Sequence, residues 1–175
     1  DYVGTIGDEN CTIKVTRTLK EGIVYPISKL SNTKAYKIVV PRGTYTVNNG
    51  QLANTVKNAS YPVNYFSLIK YEDKYYMWSV EAKKFVAGDG AKLTDMPVPV
   101  TFAASTAPSF LIKHGSHTMN ATSGFATGGA FDSWSTADEG NKCVIYEIED
   151  FDPTDVLATL ELYHSSVELN FAVNV

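Results

Sequence analysis

A chain of 175 residues with 44% hydrophobic and 12% aromatic side chains is long enough to bury a sizeable core within one domain, with no need for a disulfide scaffold. The formal net charge of -4, without any Lys/Arg cluster, argues against nucleic acid and anionic membrane surfaces, both of which reward a basic patch. No run of about 18 apolar residues occurs, so no segment reads as membrane-spanning.

Residues 1–30 form an N-terminal extension or linker with one strand signal, Thr12 to Thr18. The start at Asp1-Tyr2-Val3 lacks the basic and apolar regions of a signal peptide, which fits a processed protein or an excised domain. Cys11 and Cys143 are too far apart for a CxxC redox or zinc motif. A bridge between them would contribute about 4 to 5 kcal/mol by restricting the unfolded chain. Two buried free thiols are the other reading. Asn10-Cys11-Thr12, Asn58-Ala59-Ser60 and Asn120-Ala121-Thr122 are glycosylation triplets that matter only in a eukaryotic secretory pathway.

From residue 31 to residue 150 short β-branched and aromatic runs alternate with Gly, Asn, Asp and Pro clusters, which predicts an all-β domain. The clearest strands are Tyr36 to Val40, Thr44 to Val47, Tyr65 to Tyr71, Tyr75 to Val80, Val98 to Ala103, Ser109 to Lys113 and Cys143 to Ile148. They recur as three units, at about 33 to 71, 74 to 105 and 108 to 150, and Tyr45, Phe85 and Met119 are the expected core residues at equivalent points. Leu68-Ile69-Lys70 and Leu111-Ile112-Lys113 are identical but read as two different strands of the repeat. Three four-strand units bury a shared core behind a closed ring of strands, the plan of a β-trefoil.

In 151–175, Asp152-Pro153-Thr154-Asp155 predicts a short helix, with Asp as N-cap and Pro at the first position. Beyond it, Leu160, Leu162, Val167, Leu169, Phe171, Val173 and Val175 alternate with polar residues. They read as a C-terminal hairpin, giving the trefoil extra strands at both ends or leading to another domain.

Two stretches carry a family resemblance. Asp73-Lys74-Tyr75-Tyr76-Met77-Trp78-Ser79-Val80 with Lys83-Lys84-Phe85-Val86 is one. The other is Trp134-Ser135-Thr136-Ala137-Asp138-Glu139-Gly140-Asn141 running into Val144-Ile145-Tyr146-Glu147-Ile148. Over roughly two thirds of its length the chain resembles the ricin-like and fascin-like β-trefoil modules of secreted bacterial glycan-processing proteins. The resemblance implies a secreted, periplasmic or cell-surface setting and carbohydrate binding through shallow pockets on the units. The Gln-x-Trp signature of sugar-binding ricin-type units is absent, so galactose-type recognition is not inherited with the fold.

A sugar site needs an aromatic face and a few carboxylates or amides for hydroxyl groups. The third-unit loop offers Phe131, Asp132, Trp134, Asp138 and Asn141 beside Gly128-Gly129, and these are the candidate carbohydrate-binding residues. The competing structural role for Trp134 is to plug the bottom of the barrel; Trp78, in an alternating strand, reads as a core or sheet-face residue. His114-Gly115-Ser116-His117 reads as a hairpin turn rather than a metal site. Asp150, Asp152 and Asp155 offer oxygen ligands of the kind calcium takes, but the helix start uses two of the three, so no calcium site is predicted. No nucleophile elbow, phosphate-binding glycine loop or His-Glu-x-x-His is present, so no catalytic residue, metal or cofactor is predicted. The expected function is a non-catalytic carbohydrate-binding or accessory module. The alternatives are a structural packing module for an adjacent catalytic domain and a Kunitz-type protease inhibitor.

Overall fold

The computed structural model describes residues 24–173, and within them the strands pair antiparallel throughout. The first four strands are β1 (Lys34–Val40), β2 (Gly43–Asn48), β3 (Gln51–Asn54) and β4 (Phe66–Tyr71). The next four are β5 (Lys74–Ser79), β6 (Lys84–Val86), β7 (Leu93–Thr94) and β8 (Pro99–Ala104). Then come β9 (Phe110–His114), β10 (His117–Ala121), β11 (Gly129–Asp132) and β12 (Val144–Asp150), followed by one helix, α1 (Thr154–Val173).

Strands β12, β1, β4, β5, β8 and β9 pair in succession. A bridge between Phe110 and Cys143 brings β9 back toward β12, so the sheet is a nearly closed barrel. The remaining strands form three short pairs, β2 with β3, β6 with β7 and β10 with β11. Single bridges at Gln51–Lys92, Ala53–Gly128 and Gly90–Phe131 tie these pairs to one another.

The barrel forms because its strands present apolar residues at every second position, as Tyr36, Ile38 and Val40 do on β1. Together with Phe66, Leu68, Met77 and Ile112 they make a continuous core from which water is excluded, each side chain contributing about 1.5 to 3 kcal/mol. Leu68-Ile69-Lys70 lies in β4 and Leu111-Ile112-Lys113 in β9, the last strand of one group of four and the first of another.

Tyr45, Phe85 and Met119 are all fully buried, but they do not share one core. Tyr45 and Met119 lie in the barrel core with Val86, whereas Phe85 faces a second cluster outside it. The equivalence was one residue out of register: Thr44 pairs with Val39, Thr118 with Lys113, and Phe85 with Trp78, so Val86 is the counterpart of Tyr45. A one-residue slip turns a side chain to the opposite face of a strand.

The C-terminal hairpin expected from the alternation is replaced by α1. Asp152 accepts from the N–H and hydroxyl of Thr154, and these bonds hold its carboxyl below the usual range. Val156 and Leu160, one helical turn apart, pack on Ile69, Tyr76, Trp78 and Phe85 on the outer face of the sheet. His164 continues that face, its Nε2 lying 3.2 Å from Tyr76 Oη. Leu162, which the alternation placed beside Leu160, is 73% exposed. The 3.6-residue spacing of Val156, Leu160 and His164 therefore prevails over an accidental alternation.

At the other end, Val24 bridges Tyr146, and Tyr25, Ile27 and Leu30 pack against the barrel core. Residues 12 to 18 and Cys11 lie outside the described residues. Cys143 is completely buried, and desolvation pushes its thiol well above the ordinary cysteine range. Its thiol is expected to escape alkylation in the folded protein and to react only on unfolding, which peptide mapping after a timed iodoacetamide pulse checks.

Candidate functional site

The loop from β11 to β12 is held in place from within and from across the barrel. Asp138 accepts from Gly140 N at 2.7 Å, capping a single 3-10 turn at Glu139–Asn141. The same carboxylate lies 2.7 Å from Nη1 of Arg42, which reaches over from the turn between β1 and β2 and also donates to Ala121 O at 3.1 Å. Asn141 is fully buried, and its Nδ2 donates to Ser135 O at 2.8 Å, closing the loop on itself. Tyr45 reaches up from the core to donate its hydroxyl to Gly140 O at 3.1 Å. Burial raises this phenol well above its ordinary range, so it remains a donor.

Trp134 rides on this loop, half-buried, with its ring edge-on to Phe125 at 5.5 Å and 85°. Phe125 in turn borders a pocket of about 340 Å³ where the three short strand pairs meet, with Gln51, Asp89, Lys92, Thr127 and Ala130 on its walls. Polar side chains from three different segments thus converge beside Phe125, whose ring also meets Trp134. That combination suits a neutral, hydroxyl-rich ligand better than a polyanion.

Of the five residues expected from sequence, Trp134, Asp138 and Asn141 share this loop. Asp132 is exposed at the end of β11, where its carboxylate accepts from Ser133 N at 2.7 Å. Phe131 is not available as a stacking face: only 1% of it is exposed, and its ring belongs to the barrel core. The alternation of β11 turns it inward, and what Phe131 offers near the pocket is its main chain, paired with Gly90 at 2.8 and 2.9 Å. Phe125 carries no signal in the sequence, because it stands alone in a Gly-, Ser- and Thr-rich run with no strand pattern around it.

The two histidines of the β9–β10 hairpin each bond a main-chain carbonyl, His114 Nδ1 to Pro99 O at 2.7 Å and His117 Nδ1 to Gly88 O at 3.0 Å. Asp150 pairs with Lys34 at 2.7 Å, and Asp152 serves as the helix cap described above. Among the described residues no group of three or more His, Cys, Asp or Glu side chains is arranged to hold a metal ion, and no helix is long and apolar enough to cross a membrane.

A larger groove of about 560 Å³ runs along β8, walled by Tyr75 and Phe102, whose rings meet edge-on at 5.2 Å, with Asp73, Thr101 and His114 around it. A second recess of about 470 Å³ lies on the other side of Ile27 and Phe102. No protein-family model, curated protein or solved structure matches this chain.

Proposed function

We propose that this chain is a non-catalytic carbohydrate-binding or accessory β-trefoil module of a secreted or surface bacterial protein. Support for the trefoil comes from the order of pairing, four strands in each of three consecutive segments, with the first and last of each in the barrel and the middle two in a short pair. The internal repeat of the sequence has the same three divisions.

The single observation that carries the binding reading is Phe125, which lines the pocket between the short strand pairs and meets the Trp134 ring edge-on. Pyranose rings have an apolar face that packs on such rings, while Gln51, Asp89 and Lys92 supply donors and acceptors for ring hydroxyls. A fluorescently labelled protein on a glycan array is expected to bind a restricted set of sugars, and Phe125→Ala is expected to lose at least about tenfold in affinity, about 1.4 kcal/mol. An array with no positive sugar, or a Phe125→Ala variant that binds like the parent, contradicts the reading.

A second reading, a packing module for a neighbouring catalytic domain, is favoured by one feature: two largely apolar recesses flank Ile27. Surfaces of this kind are often buried against another domain.

A further inference from the structure

Asn120, on β10, is completely buried, and neither its Oδ1 nor its Nδ2 has a hydrogen-bond partner among the described residues. The same holds for Asn141 Oδ1 and for the indole N–H of Trp134, both buried atoms. Asn120 and Asn141 are linked through Gly140, and Trp134 is linked to them through the main chain of Ser135. Asn120 Oδ1 presses so closely on Gly140 that a Cβ there would fall 2.3 Å from it. Asn141 is the next residue along, and its amide grips Ser135, the residue after Trp134.

The first four-strand segment provides an internal control. Thr46 pairs with Ala53 as Asn120 pairs with Ala130, so the two occupy the same register. Asn64 and Asn141 each stand two residues before a ring bridge, Phe66 with Tyr36 and Cys143 with Phe110. In the first segment the pair is closed: the Thr46 hydroxyl donates to Asn64 Oδ1, and Val47 N donates to the same oxygen at 3.0 Å. In the third segment the corresponding side chains leave three polar atoms without partners among the described residues, and the Trp134 indole N–H adds a fourth. Native proteins rarely tolerate this, since each such atom forfeits its hydration without recompense.

The unpartnered set contains two acceptors, the amide oxygens, and two donors, the Asn120 Nδ2 and the indole N–H. A cation would leave the donors idle, and an anion would be repelled by the oxygens. A hydroxyl both donates and accepts. We infer that Asn120, Asn141 and the Trp134 indole form a hydroxyl-binding site beneath the third-segment loop, taking a hydroxyl of a bound sugar or a trapped water. The sugar source rests on the carbohydrate reading above; the water source does not.

The side-chain amide and indole signals of the ¹⁵N-labelled protein report on this site directly, with Trp78, buried under α1, as the reference indole. The protein is titrated with the methyl glycosides of glucose, galactose, mannose and N-acetylglucosamine, and water-to-amide magnetisation transfer is recorded alongside. Shifts confined to Trp134 and the two asparagines identify a sugar hydroxyl. Long-lived water contacts at those amides, unmoved by any sugar, identify trapped water; calorimetry without heat from any of the sugars would then count against the carbohydrate reading alone. Neither signal overturns the site.

Thermal unfolding of Asn120→Leu gives an independent sign. With a hydroxyl guest the melting temperature falls, because the guest departs and leaves Asn141 and the indole unpartnered. Without one it rises, because two uncompensated polar atoms are removed, and that result also overturns the inference. Should the leucine variant fail to fold, Asn120→Thr recreates the closed pair of the first segment. It is expected to fold and to lose the guest signal, and a retained signal would refute the site.

Discussion

Ala158→Pro is expected to cost about 3 kcal/mol and to uncover Trp78, because it breaks α1 in the middle of its path along the sheet. Ala158 is exposed, so the substitution touches no core contact. Its effect comes from the backbone: proline removes one helical N–H bond and its ring collides with the preceding turn. The turns on either side carry Val156 and Leu160, which cover Tyr76, Trp78 and Phe85. Losing their contact opens that cluster to water. Far-ultraviolet circular dichroism reads the lost helix, a red shift of tryptophan emission reads the exposed indole, and urea unfolding gives the energy. An unchanged helix signal would contradict the packing of α1 on the sheet.

Gly140→Ala is expected to destabilise the protein by about 2 to 3 kcal/mol, the upper range for forcing an extra methyl into a packed site. The added Cβ would lie 2.2 Å from Ala121 O, a main-chain atom of β10, and 2.3 Å from Asn120 Oδ1. The Ala121 carbonyl is main chain and cannot swing aside, and the Asn120 side chain is completely buried, with little room to turn away. Relief requires the 3-10 turn to lift, which pulls Gly140 O from the Tyr45 hydroxyl and strains the Arg42–Asp138 contact. Trp134 moves with the loop, so ligand affinity is expected to fall together with stability. Equilibrium urea unfolding with tryptophan fluorescence measures both the midpoint and the altered indole environment.

Much of the barrel was readable from alternation alone, because its strands bury one face and the chain marks that face with Tyr, Ile, Val and Phe. The inner strands of the short pairs were harder to see. β3 is Gln-Leu-Ala-Asn and β11 is Gly-Ala-Phe-Asp, neither rich in β-branched residues. Their small residues answer a different demand, close approach: a Cβ on Gly129 would meet the Ala53 carbonyl at 3.1 Å, and Gly128, at a φ of +80°, lies against Asn54 O. The one-residue error at Phe85 and the misread C-terminal helix share a cause. Both involve side chains buried on the outer face of the sheet, a surface that exists only once α1 has docked.

The candidate site was partly legible for a similar reason. Trp134, Asp138 and Asn141 are neighbours in sequence and therefore in space, whereas Phe125, Arg42 and Asn120 join them only through the barrel. Phe131 attracted attention as an aromatic beside an acid, yet the pleat of β11 gives its ring to the core. Composition identifies which residues suit a sugar; strand parity decides which of them reach solvent.

Isothermal titration calorimetry of the parent protein and its Trp134→Ala variant, using the sugars positive on the array, tests carbohydrate binding at this loop itself. Saturable heat is expected for the parent, with at least tenfold weaker binding for Trp134→Ala and an unchanged β-sheet circular dichroism spectrum for both. Equal affinities in the two proteins would contradict it.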